Sequence, residues 1–313
     1  ALGSLTVSGT SLLEGDGTNP ISVTTSGSQT YTGAVTLGAA TTLATTNSTV
    51  TFSSTLDSDA AASARNLTMA VGSGNIDFDA AVGNTAALGA VTISSVATLD
   101  TDAVFKAANF TQSAGSVLTQ FDGAVTLTGA FDFTGQALTL NAALGSGSTV
   151  EVTNAGTFTT AAAGDITATG AFTQNGAGLN ELAGDMTTTD STISFLRAVT
   201  LTGPVALSTA AGEGNILFSS TVDSAATTAQ ALSLTAGTGD VTFTGLAGSA
   251  EALGAVTVVS AEDVTVNGLR AARFAQTAGT GTTTLNTGAF TSTPQGMATT
   301  ASAGVVINND AVT

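Results

Sequence analysis

The chain has 313 residues, 42% of them apolar and 9% charged, and its 22 acidic side chains against 5 basic ones give a formal net charge of −17. This apolar content excludes a disordered chain, and the acidity excludes phosphate backbones and anionic lipid as partners, because like charges repel. Cys, His and Trp are absent, which excludes disulfides and any thiolate or imidazole metal cluster.

Scarce long helix formers and three prolines count against helices, while Thr, Val, Ile and Phe favour strands. Apolar-polar-apolar triplets recur in chain order: Leu5-Thr-Val7, Ile21-Ser-Val23, Val35-Thr-Leu37, Val50-Thr-Phe52, Leu67-Thr-Met69 and Ile76-Asp-Phe78. They continue through Val125-Thr-Leu127, Leu138-Thr-Leu140, Val150-Glu-Val152, Ile216-Leu-Phe218, Leu232-Ser-Leu234 and Val264-Thr-Val266. A period of two sends both apolar side chains to one face and the middle residue to the other. Glycine turns at Gly72-Ser-Gly74, Gly145-Ser-Gly147, Gly164-Asp165 and Gly237-Thr-Gly239 separate them. Triplet spacings of roughly 7–16 residues leave no room for crossover helices. No run reaches the ~18 apolar residues of a membrane helix, and no charged-then-apolar leader opens the chain.

The pattern predicts an all-β fold, a parallel β-helix (β-solenoid) without significant helix. Three triplets per turn would use about 20–30 residues, which gives roughly 10–15 coils and, at ~4.8 Å per coil, a rod of roughly 50–70 Å. An immunoglobulin-like tandem would require longer strands and a core Trp, and a membrane barrel would require aromatic girdles. The chain has a single Tyr.

A long unit is duplicated, which is itself a mark of repeat architecture. Leu88-Gly-Ala-Val-Thr-Ile93 returns as Leu253-Gly-Ala-Val-Thr-Val258, 165 positions on. Gly72-Ser-Gly-Asn-Ile-Asp-Phe78 returns as Gly237-Thr-Gly-Asp-Val-Thr-Phe243, and Phe110-Thr-Gln-Ser-Ala-Gly115 as Phe274-Ala-Gln-Thr-Ala-Gly279. The chain therefore reads as one continuous solenoid over 1–313, with 31–119 resembling 195–283. The stretch about 154–190 matches least and reads as an irregular coil set or a lateral insertion. The expected inward residues are Phe52, Phe78, Val91, Ile93 and Phe110, with Phe218, Phe243, Val256, Val258 and Phe274. A shorter motif sends Tyr31, Val35 and Leu37 inward, then Phe121, Val125 and Leu127, then Phe195, Val199 and Leu201.

No constellation names a reaction, so neither catalytic residues nor a cofactor is expected. The carboxylate pairs Asp57/Asp59, Asp77/Asp79 and Asp100/Asp102 are not kept in the second copy, and they read as solvated turn and strand-end acids. Calcium is the one ion such acids would take in a solenoid, with Asp77, Asp79, Asp100 and Asp102 as the candidate ligands. The tandem Gly-Gly-x-Gly-x-Asp signature is absent; Gly72-Ser-Gly-Asn-Ile-Asp77 comes nearest. The Gly72 and Gly237 loops precede strands and lack a following Gly-Lys-Ser/Thr, so they are turns, not phosphate cradles.

Units such as Gln29-Thr-Tyr-Thr-Gly-Ala-Val-Thr-Leu37 and Phe274-Ala-Gln-Thr-Ala-Gly279 resemble those of large bacterial surface β-solenoids, the filamentous-haemagglutinin-like and autotransporter-type adhesins. The resemblance covers nearly the whole chain in style. It implies a structural, non-enzymatic, extracellular fibre at the bacterial cell surface that mediates adhesion or cell–cell and matrix contact. The partners it implies are host or cell surfaces, polysaccharide and neighbouring copies. The chain lacks that family's Asn-Pro-Asn-Gly motif, since Asn19-Pro-Ile-Ser22 does not match, and it lacks a C-terminal barrel. Triplets run from Leu5 to Val305-Val-Ile307 with no polar cap in view, so an excerpt of a longer chain, or end-to-end stacking through open β-edges, is expected. The alternative function is a surface-layer or glycan-binding module that depends on calcium.

Overall fold

In a computed structural model, which describes residues 2–15, 20–60, 64–226, 228–286, 290–292, 297–298 and 304–307, the chain is a parallel β-solenoid of about 13 turns. The described residues contain no helix. Asn19 lies outside them. The contacts divide the chain into two compact units, Ala1–Ser148 with Thr153–Gly156, and Thr149–Val152 with Thr157–Thr313.

Each coil of the first unit has three faces, and each face is built by one triplet. The first face stacks Leu5–Val7, Gln29–Tyr31, Val50–Phe52 and Ile76–Phe78, then residues 99–101, 119–121 and 138–140, all parallel and in register. Each step along it consumes about 19–26 residues of chain. Val35–Leu37 and Leu56–Ser58 belong to the second face, and Thr41–Thr45 and Leu67–Ala70 to the third. Two strands, Leu88–Thr101 and Phe105–Gln112, run through corners from one face to the next. Leu88–Thr101 pairs with Leu67–Ala70 in its first half and with Ile76–Phe78 at its end, and its register with the neighbouring coils shifts between Ile93 and Ser95 and between Val96 and Thr98. These bulges bend one strand around two faces.

The second unit is wound the same way. Ile193–Phe195, Ile216–Phe218, Val241–Phe243 and Val264–Val266 stack in register on one face. Within about 154–190, the stretch that matches the duplicated unit least, Phe158–Thr160 pairs with Asn180–Leu182 and Ile166–Ala168 with Met186–Thr188. These strands are parallel and in register. Inward polar residues are buried there, Gln174, Asn180 and Thr188, as Gln29, Gln112 and Gln276 are in other coils. Gly145 also departs from expectation. It occupies the outward position of the strand Leu144–Ser146, and only Gly147 remains at the corner, because Leu144 and Ser146 take the two inward positions of a triplet.

The duplication recurs in local geometry. Gly72 and Gly237 both have φ +62°, a left-handed turn that a side chain would strain. Each donates its N–H to a serine one coil on, Ser95 Oγ at 3.0 Å and Ser260 Oγ at 3.1 Å. Buried Gln112 accepts from Thr119 Oγ1 at 2.8 Å, and Gln276 accepts from Thr283 Oγ1 in the same way. These pairs satisfy polar groups that the coil corners bury.

The ten inward positions named above are each at most 2% exposed, and aromatic rings stack along the coils. Tyr31 and Phe52 lie 4.9 Å apart and Phe52 and Phe78 5.3 Å apart in the first unit. Phe195, Phe218 and Phe243 follow at 5.7 and 4.9 Å in the second. A Phe243→Ala variant should therefore lose about 3–5 kcal/mol in denaturant unfolding, while Thr242→Ala, on the opposite face of the same strand, should stay within about 0.5 kcal/mol. Equal losses at both positions would contradict the inward assignment. Burial pushes the Tyr31 phenol up to about 12 from 10.0. Since this is the only Tyr, absorbance titration should show one phenolate transition near that value. By linkage, its contribution to stability is complete below pH 10.0 and is lost as pH rises through about 12. A midpoint near 10.0 in the folded protein would place the ring in solvent.

Candidate functional site

Two kinds of acid recur among the described residues. In the first, the side chain accepts the backbone N–H of the next coil. Asp57 Oδ1 takes the amides of Thr85 at 2.8 Å and Ala86 at 3.2 Å, and Asp223 Oδ1 takes that of Ala250 at 2.8 Å. Asn215, Asp240 and Asp263 form a running series, accepting from Asp240, Asp263 and Thr282 at 2.8, 3.1 and 2.7 Å. Asn66 and Asn109 do the same for Ala90 and Ala130 at 2.8 Å. Most of these residues immediately precede the first inward residue of a triplet, as in Asn66-Leu67, Asn109-Phe110, Asn215-Ile216 and Asp240-Val241. That signal is present in the sequence, although the reading of Asp57 as a solvated turn acid does not use it. Asp57 and Asp223 brace the winding, in both copies of the duplicated unit.

The second kind forms a two-column grid on the first face of unit 1. Outward positions in register place Thr51, Asp77, Asp100, Gln120 and Thr139 in one column. Beside it, Asp79, Asp102, Asp122 and Asn141 stack at the corner, their amides bonded to the carbonyls of Phe52, Phe78, Thr101 and Phe121 one coil back. Carboxylate oxygens of Asp100, Asp102 and Asp122 all lie within 4.8 Å of one another. The structure thus gathers the four candidate residues Asp77, Asp79, Asp100 and Asp102 on one surface and adds Asp122. Asp59 is not part of it and pairs with Arg65 at 2.7 Å, the one ion pair among the described residues.

Like charges at this spacing, with no cation paired to them, disfavour full ionisation. Burial, then Asp102, Asp122 and Asp77, hold the Asp100 carboxyl above its ordinary value. Burial raises Asp77 as well, reinforced by Asp79 and Asp102 and partly offset by a hydrogen bond from Thr51 at 3.3 Å. Asp100 Oδ1 is buried without a hydrogen-bond partner. Asp122 is better supplied, by Gln120 Nε2 at 3.1 and 3.2 Å and Asn141 Nδ2 at 2.5 Å. Chemically, the grid offers carboxylate and amide oxygens of the kind that hard divalent cations take.

Elsewhere, among the described residues, an open groove of about 310 Å³ in unit 1 is lined by Gly72, Ser73, Ser95, Val96, Ala114 and Ser116. A groove of about 300 Å³ in unit 2 is lined by Pro204, Ala206, Ala231, Ser233, Ala255 and Thr257 with one carboxylate, Asp185. Asp185 Oδ1 is already taken by the Ala206 amide at 2.7 Å. Every aromatic side chain whose burial is described points into the core, so none is placed to stack on a sugar ring. Among the described residues, no helix is long and apolar enough to cross a membrane.

Asp77 and Asp100 have folded-state values above the unfolded value near 3.8. Each therefore binds protons more readily when folded, and the stability this gives is present below pH 3.8 and lost as pH rises through the raised folded value. Mild acid should accordingly raise the melting temperature, and Asp100→Asn should raise it at neutral pH while shrinking the gain on acidification. A variant no more stable than the parent at neutral pH, with the same pH dependence, would show that the grid carries no electrostatic load. Compared with known proteins, the chain matches no family model, no curated protein and no solved structure.

Proposed function

We propose that the chain is a structural, non-enzymatic segment of an extracellular fibre on a bacterial cell surface, working by adhesion to cells, matrix polysaccharide or copies of itself. The observation that carries this reading is the division of labour across most of the described strands. The described aromatic side chains and most of the large aliphatic ones are spent on the core, and what faces outward is mostly small and uncharged, with a few exposed aliphatic residues such as Leu12, Val117 and Val259 among them. Such a surface makes broad, repeated, weak contacts, and multivalency along many coils turns these into attachment. The likeness of the repeat units to filamentous-haemagglutinin-like adhesins supports the same reading. So does the wiring of the acids, since those of the first kind brace the backbone and those of the second lie on one face, and among the described residues none stands across a cleft from them as glycoside hydrolysis requires.

Beads coated with the purified chain should adhere to bacterial or host cells above beads coated with an acidic globular control of matched charge. Antibody against the chain should label intact producing cells. Absence of both would remove the reading, as would release of new reducing ends from a polysaccharide panel.

The acidic grid favours a second reading, a surface-layer or glycan-binding module that uses calcium. Under it, millimolar calcium raises the melting temperature, chelator reverses the change, and Asp100→Asn with Asp102→Asn abolishes it. Melting that ignores calcium leaves the first reading alone.

A further inference from the structure

We draw no further inference here: the strongest candidate, the carboxylate grid of Asp77, Asp79, Asp100, Asp102 and Asp122 on the outer face of unit 1, belongs to the site already described, and no second feature of the structure points to a ligand for it.

Discussion

Parallel pairing of each triplet with its equivalent one coil away is the constraint from which the other features follow. It joins Val50–Phe52 to Ile76–Phe78 and Ile216–Phe218 to Val241–Phe243 residue for residue. Backbone hydrogen bonding alone would tolerate a slip. The side chains do not, because a shift of one residue would turn Phe78 or Phe243 outward and bring an aspartate or threonine into the core. Register and burial therefore enforce each other, and strands of three residues, too short to be stable singly, persist through their neighbours.

The same stacking creates the electrostatic feature. Outward residues in register lie about 4.8 Å apart, so any acid repeated at one position faces another acid. Where the side chain lies beside a backbone N–H of the next coil, as with Asp57 and Asp240, the charge is absorbed into the winding. Where it projects from the first face of unit 1 or from the corner beyond that face, as with Asp100 and Asp102, its neighbours are other carboxylates. Position within the coil, more than residue type, decides whether an acid braces the fold or burdens it.

The architecture was legible because alternation over three residues is a local signal, and the inward Phe52, Val91 and Val256 could be read from parity alone. Registry was not legible in the same way. Coil length varies by several residues from one turn to the next, so no fixed spacing shows that Asp102 and Asp122 adjoin, and Asp122 went unnoticed. Gln112 and Gln276 sit at inward parity, and their burial depends on the hydroxyls of Thr119 and Thr283, partners that no triplet pattern pairs with them. Gly145 reads as a turn residue in isolation, whereas pairing with Val125–Leu127 makes it strand.

Since the chain has no native cysteine, paired cysteine substitutions give the most direct test of in-register stacking. Thr242 and Thr265 are outward register partners on adjacent coils, and Thr284 follows one coil further. Adjacent partners stand about 4.8 Å apart, inside the Cα range a disulfide accepts, whereas a two-coil step of roughly 9.6 Å lies outside it. Oxidation should therefore close the bridge in the Thr242→Cys/Thr265→Cys protein and leave Thr242→Cys/Thr284→Cys as free thiols. A bridge in the second protein but not the first would contradict parallel coils wound in this register.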